Sequence, residues 1–172
     1  MNSKQNIPLY AGRIASFMGT SVAEKLQELI DRAQIEELTA IYAQRMAHGV
    51  GVADLFTDDG AYINRGTPGV PAREIRGRAM LDEYYGDRDM PEPPLPMLHN
   101  HLIEVDGDTA RGLCSMELRL GTQGISMVGS GYYEDTFRRE NGRWLFAERI
   151  FSYFHWVPLH QGWARPVESG AE

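Results

Sequence analysis

The chain has 172 residues, of which 42% are hydrophobic and 24% are charged, and its formal net charge at pH 7 is -7. This length and composition are typical of one globular domain with one core, and they exclude a disordered or fibrous chain. Because the excess negative charge would repel a phosphate backbone, we expect no nucleic-acid partner.

Membrane and disulfide classes are also disfavoured. No apolar run approaches the roughly 20 residues that a membrane-spanning helix needs, and the N-terminus lacks the long apolar core of a signal peptide. The single cysteine, Cys114, excludes an internal disulfide, and its position within a strand pattern predicts a buried, inert thiol. We therefore expect a cytoplasmic protein with no membrane contact.

Residues 1–19 show no clear periodicity and are expected to form an N-terminal arm. A single domain is predicted at residues 20–164, with a flexible tail at 165–172. Ser21 and Glu24 have the spacing of a capping box, and apolar residues recur at helical spacing from Ile35 until Gly49 offers a left-handed helix end. Because Asp31 is a second start signal, the pattern predicts either two helices or one kinked helix.

Shorter elements are predicted after this helical region. We expect a turn at residues 57–60, a short strand at 61–64 and a helix at 78–85. The stretch from Asp89 to Pro96 contains four prolines within six residues, which remove backbone donors and fix φ. This stretch is expected to be a stiff loop that forms a rim or a lid.

The C-terminal half has the pattern of long strands. Strands are predicted at 98–105, 109–120 and 125–138, and the Asn141–Gly142 pair predicts a hairpin turn into a last strand. That last strand has apolar residues on both faces, which is typical of the centre of a sheet. Gly129 and Gly131 indicate a bulge or sharp curvature in the preceding strand. Helices followed by an antiparallel meander indicate an α+β fold.

Several short segments occur in an order that resembles the SnoaL-like group of the NTF2-like superfamily. They are Ile35-Glu-Glu-Leu-x-x-x-Tyr42, Leu55-Phe-Thr-Asp-Asp-Gly60, Ile75-Arg-Gly-Arg78, Ile103-Glu-Val-Asp-Gly-Asp108 and Gly131-x-Tyr-Glu-Asp-x-x-x-Arg139-x-x-Gly142-x-Trp144. The group includes polyketide cyclases, scytalone dehydratase, bile-acid dehydratases and a hexachlorocyclohexane dehydrochlorinase. The resemblance covers roughly residues 31 to 158. It implies a cone-shaped fold, in which a curved antiparallel sheet wraps on helices and encloses an apolar pocket. It also implies a dimer through the outer face of the sheet.

The resemblance implies an Asp–His pair in the lyase members, in which the carboxylate orients an imidazole that removes a proton. Counting from Tyr42, the Asp position is Ala47, and the His position is near Pro96. Three alternatives follow: a register shift brings His99 into the pocket, the chemistry has changed, or the chemistry is absent. By strand alternation alone, His99 and His101 are expected to share one face.

Candidate site residues were chosen from the elements expected to face the pocket. His99 or His48 would move the proton, and the Tyr42 hydroxyl would donate a hydrogen bond to a developing oxyanion. The His99-x-His101 pair lacks an obvious further ligand, so we expect no metal site, and we expect no cofactor. The predicted substrate-binding residues are Tyr62, Met97, Ser130, Tyr132, Phe146 and Trp156.

These features predict a cofactor-independent lyase or isomerase of the dehydratase or cyclase type. Its substrate would be a small hydrophobic compound that is cyclic or derived from an aromatic one, and the protein would form a homodimer or a higher homo-oligomer. The missing Asp–His pair leaves an alternative open, a non-catalytic binding module for a hydrophobic small molecule or a protein partner.

Overall fold

One continuous helix, α1 (Val22–Ala47), begins the fold in the computed structural model, which describes residues 19–87 and 92–164. The predicted arm, apart from Gly19, and the predicted tail lie outside the described residues. The Ser21 hydroxyl accepts a hydrogen bond from the Glu24 amide and the Glu24 carboxylate accepts one from the Ser21 amide, which confirms the capping box. Asp31 starts no second helix, because its carboxylate is buried and bonded to Trp144 and Arg139.

A six-stranded sheet follows, in the order β2-β1-β6-β5-β4-β3. Only the β1–β6 pair is parallel among the strand pairs of the described chain. The central position of β6 confirms the prediction made from its two apolar faces. The strands are β1 (Phe56–Asn64), β2 (Arg73–Arg76), β3 (Leu95–Asp106), β4 (Thr109–Thr122), β5 (Ile125–Glu140) and β6 (Arg143–Pro158), and helix α2 (Arg78–Tyr85) follows β2.

Two local predictions were wrong. Residues 57–60 belong to β1, where an irregular register between Phe56 and Ala61 replaces the predicted turn. Pro96 lies in a strand, because β3 starts at Leu95 and is the edge of the sheet, where a missing amide donor is tolerated. The part of the proline-rich stretch at residues 89–91 lies outside the described residues.

The glycines of β5 curve the sheet, as predicted. The β5–β6 register shifts between Ser130 and Gly131. A Cβ on Gly131 would collide with the Ser152 carbonyl, and one on Gly129 would lie 2.9 Å from the Trp156 ring. These close approaches require glycine, and together with the irregular register they are what a strongly bent sheet needs. The predicted α+β fold with a curved sheet is confirmed.

The face of the sheet that packs on α1 is called the inner face here, and the opposite one the outer face. Tyr42 of α1 lies edge-on to Phe146 of β6 and to Tyr133 of β5, with ring centroids 5.8 and 6.3 Å apart. The inner face and α1 therefore enclose the main core. The fully buried side chains there include Ile35, Val52, Phe56, Leu81 and Phe151.

A bulge in β3 separates the two histidines that alternation had placed together. Asn100 has φ 56°, and the β3–β4 register shifts between His99 and Leu102. His99 pairs with Ser115, whose neighbour Cys114 is buried on the inner face. His101 reaches Thr39 of α1. The prediction that His99 and His101 share one face was wrong, because one extra residue inverts the alternation.

Candidate functional site

A buried ion pair lies at the centre of the inner face. Arg149 of β6 and Asp135 of β5 are paired across the two strands, with Nε to Oδ1 3.2 Å and Nη2 to Oδ2 3.3 Å. Both side chains are almost completely shielded from water. Burial raises the pKa of Asp135 to about 6, although the charge of Arg149 acts to lower it. At neutral pH the carboxylate is therefore still ionised.

Aromatic rings surround the guanidinium of Arg149. Its carbon lies 3.9 Å from the ring centroid of Tyr133, 4.2 Å from that of Tyr42 and 4.3 Å from that of Phe146. Cation–π contacts of this kind replace part of the lost hydration of a buried cation. Nη1 is also buried and has no hydrogen-bond partner among the residues that the structure describes. The N–H groups of Nη1 thus remain available to an acceptor that enters the core.

A group of tyrosine hydroxyls lies beside this ion pair. The Tyr42 hydroxyl donates to that of Tyr85 at 3.2 Å, and the Tyr85 ring is edge-on to Tyr62 at 5.2 Å. Burial raises the pKa of Tyr42, Tyr62, Tyr85 and Tyr133. These phenols therefore stay protonated and can donate hydrogen bonds. The inner cluster, as we name it, consists of Tyr42, Tyr62, Tyr85, Tyr133, Asp135 and Arg149.

His101 is the histidine that the structure brings to the inner face, and its tautomer follows from its contacts. Its Nε2 lies 2.9 Å from Oγ1 of Thr39, and the Thr39 hydroxyl donates to the Glu36 carbonyl at 2.8 Å. Because that hydroxyl has only one proton, its oxygen must accept from Nε2–H of His101. Nδ1 then carries the lone pair.

The imidazole of His101 is held neutral by its surroundings. Partial burial lowers its pKa, and the charges of Arg149 and His99 act in the same direction, whereas Glu36 opposes them. A neutral imidazole at pH 7 can accept a proton, which is the requirement for a general base. His101 opposes Cys114 in the bulge, and the Cys114 thiol lies 3.8 Å from Nη2 of Arg149.

Cys114 behaves as the sequence predicted. It is a free, buried thiol on the inner face. Burial, with a further contribution from the charge of Asp135, raises its pKa to about 12. The thiol therefore stays protonated and unreactive at neutral pH.

Some of the residues predicted from sequence come together at the inner face. Tyr42 and Tyr62 belong to the inner cluster, and the fully buried Phe146 packs against both Tyr42 and Arg149. Trp156 lies farther along β6, edge-on to Tyr153 with ring centroids 6.0 Å apart. Tyr42, Tyr62 and Phe146 therefore share one core, and Trp156 continues the row of aromatic side chains along β6.

The other predicted residues lie elsewhere. His48 is exposed at the end of α1, where its Nδ1 lies 2.7 Å from the Gln44 carbonyl oxygen. Met97, His99, Ser130 and Tyr132 occupy register positions of the outer face, on the side opposite Cys114. Tyr132 packs there against Phe154 with ring centroids 5.2 Å apart. The structure thus separates His48 and His99 from Tyr42.

Described residues line one cavity at the outer face of the sheet and another beside the inner cluster. A groove of about 710 Å³ crosses the outer face, and Ser130, Glu117, Arg119, His155 and Trp163 contribute to its walls. A smaller cavity of about 180 Å³ lies beside the inner cluster, and Tyr84, Tyr85, Met46 and Pro94 contribute to its walls. Because Tyr85 belongs to both the smaller cavity and the inner cluster, the two are adjacent.

Sequence reasoning missed Arg149 and Asp135. The available signal was a pair of opposite charges inside otherwise apolar strands, at Tyr133-Glu-Asp135 and Ala147-Glu-Arg149. Charged residues are almost never fully buried unless they are paired. Without the register of β5 and β6, however, nothing in the sequence pairs these two residues.

Neither a metal cluster nor a membrane span was found in the described ranges 19–87 and 92–164. No group of three or more His, Cys, Asp or Glu side chains in these ranges could hold a metal ion. No helix within the same ranges is long and apolar enough to cross a membrane.

A curved sheet wrapped on a long helix, with polar groups buried between them, defines the NTF2-like class of fold. Residues 27–150 match the family model of the SnoaL-like domain. The chain belongs to the SnoaL-like family. No match was found among curated proteins.

Solved structures agree with this family. A single-residue variant of Rv3472 from Mycobacterium tuberculosis, described as a protein of unknown function, is 31% identical over 74% of this chain and 73% of that one, with a TM-score of 0.64. A LinA-type3 hexachlorocyclohexane dehydrochlorinase from Novosphingobium barchaimii is 18% identical, over 83% of this chain and 99% of its own, with a TM-score of 0.67. A putative scytalone dehydratase from Novosphingobium aromaticivorans is 18% identical, over 84% and 97%, with a TM-score of 0.66. The last two show the shared fold alone.

Proposed function

We propose that the protein is a cofactor-independent lyase or isomerase that acts on a small hydrophobic substrate, cyclic or derived from an aromatic compound. Membership of the SnoaL-like family, with a dehydrochlorinase and a scytalone dehydratase as structural neighbours, supports a fold that converts small molecules. The observation that carries the proposal is the inward-facing His101, whose Nε2 is bonded to Oγ1 of Thr39 at 2.9 Å and whose Nδ1 is the ring nitrogen that we propose as the base.

The proposed reaction starts with proton removal by Nδ1 of His101. A C–H bond next to a carbonyl or a leaving group breaks, its electron pair forms the new double bond, and the proton moves to the imidazole. In elimination, the leaving group departs with its own electron pair and takes up a proton from the imidazolium. In isomerisation, the same proton returns to another carbon. Thr39 orients the ring throughout by accepting from Nε2–H.

Negative charge that develops on a substrate oxygen needs donors that are already in place. Nη1 of Arg149 is buried without a partner among the described residues. The phenol groups of Tyr42 and Tyr85 are protonated, and the Tyr42 hydroxyl would exchange its hydrogen bond to Tyr85 for one to the substrate. Preorganised donors in a site that excludes water stabilise such charge strongly. We propose that these groups bind the oxyanion and that Tyr62 and Phe146 contact the apolar part of the substrate.

Substrate entry is proposed to occur beside α2. The cavity of about 180 Å³ that shares Tyr85 with the inner cluster is smaller than the roughly 300–1,000 Å³ of typical ligand pockets. A bound substrate would therefore have to displace Tyr84 and Tyr85. Such a step is common in enzymes that close over their substrates.

A second candidate function is a non-catalytic binding module for a hydrophobic molecule or a protein partner. The observation that favours it is the presence of Ala47 and Pro96 at the positions where the family resemblance implies an Asp–His pair. A binding module needs only one polar anchor, which Arg149 alone could supply.

We further propose that residues 20–164 form the whole folded unit and that the protein acts in the cytoplasm as a homo-oligomer. Limited proteolysis that leaves a fragment close to these bounds would support the domain limits. Cell fractionation tests the location.

The test uses solvent exchange, because it needs no knowledge of the natural product. The protein is incubated in D₂O with a panel of cyclic ketones and hydroxyketones, and mass spectrometry follows both deuterium uptake and loss of water. Once a substrate is found, His101→Gln is expected to lower kcat about 10²–10⁴-fold, as removal of a general base does.

His99→Gln is the matched comparison, because it changes a histidine two positions away on the outer face. Loss of turnover only in the His101 variant supports the proposal. Loss only in the His99 variant would support the assignment made from sequence instead. Tight binding of a panel compound with no exchange in the wild-type protein would favour the binding module.

A further inference from the structure

Helix α1 is apolar on two opposite faces. One face, with Ile35, Leu38 and Tyr42, is buried on the sheet. On the other side, Val22, Leu26 and Leu29 are 84%, 56% and 49% exposed. A row of large apolar side chains exposed on a helix commonly marks a surface that binds a partner. The second face is therefore missing a partner in the part of the chain that the structure describes.

The exposed face has the spacing of a coiled-coil seam. Its positions alternate by four and three residues, so they follow one heptad register. Its large apolar side chains lie at the N-terminal end, and two of the last three positions are alanine. We call this set the outer stripe, and its members are Val22, Leu26, Leu29, Ala33, Glu36 and Ala40.

We propose that the outer stripe binds the outer stripe of a second copy of the chain, with the two α1 helices antiparallel around a two-fold axis. A two-fold interface requires that residue i meets residue j and that j meets i. With residues 29 and 33 opposite each other, Val22 also meets Ala40. Val22 and Leu29 then each face an alanine, which is how packed helices interdigitate, and Leu26 faces Glu36.

The charges along the stripe favour the antiparallel direction. Lys25 lies near one end of the stripe and Glu36 near the other, on the same flank. An antiparallel pair brings Lys25 of one copy next to the partner's Glu36, whereas a parallel pair would place the seam residue Glu36 beside the partner's Glu36. Glu36 is also the one charged residue in the seam, and a polar seam residue fixes the register of a helix pair.

This surface differs from the outer sheet face through which the family resemblance implies a dimer. If both surfaces are used, two perpendicular two-fold axes give a tetramer. The other possible occupant of the stripe is the apolar part of residues 1–18, which directly precede α1 in the sequence.

Cross-linking tests the register directly in the full-length protein. Val22 and Ala40 are separated by 18 residues of helix, which is about 27 Å. In a Val22→Cys/Ala40→Cys variant, a short bismaleimide cannot join the two cysteines of one helix, but it would join copies in the proposed arrangement. The expected product is a covalent dimer. The wild type, in which Cys114 is buried, gives the background.

The single variant Val22→Cys is the control for direction. It should give no cross-link above background, because the two copies of residue 22 would lie about 27 Å apart. Cross-linking of this single variant would overturn the antiparallel proposal. A monomeric protein would also overturn the proposal, and so would a dimer in which the double variant does not cross-link. In either case the stripe would be covered by residues 1–18 or left open.

Leu29→Lys tests the strength of the contact by sedimentation equilibrium. Symmetry places two copies of Leu29 in the interface, so the dissociation constant should rise about tenfold or more. Met80→Lys is the matched control, since Met80 is 55% exposed on α2, away from the stripe. An unchanged constant for Leu29→Lys would contradict the proposal.

A charge reversal tests the ionic contact separately. Lys25→Glu should raise the dissociation constant about two- to fivefold, because each exposed ion pair contributes little and there are two of them. Combining it with Glu36→Lys should restore the affinity. Failure of the second change to restore it would count against the pairing of Lys25 with the partner's Glu36.

Discussion

His99 and His101 lie on opposite faces of the sheet, although only Asn100 separates them. Asn100 has φ 56°, a conformation that asparagine and glycine adopt more readily than other residues. The bulge at this residue turns His101 towards α1. The position of the proposed base therefore depends on the backbone of one residue.

The first prediction concerns this bulge. Asn100→Ala should lower the free energy of unfolding by about 0.5–1 kcal/mol, because alanine lacks the short polar side chain through which asparagine tolerates positive φ. Asn100→Gly is the control, and it should be neutral or slightly stabilising. Urea denaturation measures both. Equal stability of the alanine and wild-type proteins would show that the bulge relaxes at no cost.

The second prediction concerns the carboxylate that anchors α1. Asp31 is 4% exposed and Asp108 is 80% exposed, yet both pair with Arg139. Asp31→Ala should cost about 3–5 kcal/mol of stability, because it leaves the partly buried guanidinium of Arg139 and the indole N–H of Trp144 without their acceptor. Asp108→Ala should cost about 0–1 kcal/mol. Similar losses for the two variants would contradict the importance of burial here.

The third prediction is the pH dependence due to Asp135. Its pKa is about 6 in the folded protein, against about 3.9 for an unfolded aspartate. Between about pH 4 and 6 the folded state therefore holds a proton that the unfolded state has released. The contribution of this group to the free energy of unfolding must fall as pH rises through that window.

Comparison with Asp135→Asn isolates that contribution, because the amide does not titrate. The stability difference, wild type minus variant, should decrease from pH 4 to pH 6.5 in urea denaturation. Carbon NMR of the Asp135 carboxyl group should give a midpoint near 6. A stability difference that grows with pH would mean that Arg149 outweighs burial and that the pKa is lowered.

The fourth prediction separates stability from activity at Tyr42. Tyr42→Phe removes the hydroxyl that donates to Tyr85 and should cost about 0.5–1.5 kcal/mol of stability. If this hydroxyl stabilises an oxyanion, kcat should fall about 10²–10³-fold on the substrate found in the exchange screen. Tyr132→Phe, on the outer face, should change kcat little. Equal effects of the two variants on kcat would remove Tyr42 from the proposed site.

Much of the fold followed from local patterns. The Asn141–Gly142 turn has both residues at positive φ, as the hairpin prediction required, and the two apolar faces of β6 correctly located it at the centre of the sheet. Gly129 and Gly131 marked the curvature. In these cases the chemistry of a few adjacent residues is enough, because turns and strand faces depend on local geometry.

The candidate site could be predicted only in part, because it depends on contacts between distant segments. Tyr42 and Phe146 were found from helix and strand periodicity. The pairing of Arg149 with Asp135 depends on the β5–β6 register, and the direction of His101 depends on where β3 gains an extra residue. Neither register nor bulge position is fixed by strand alternation alone.

The parallel pairing of β1 with β6 has a consequence for synthesis of the chain. Phe56 in β1 is in register with Phe146 in β6, so these partners are separated by most of the domain. Until the ribosome has made the C-terminal half, the edge of β1 that pairs with β6 has no partner strand. Pairings of such long range close slowly and leave apolar segments exposed to aggregation. We therefore expect the nascent chain to depend on chaperones until β6 has emerged.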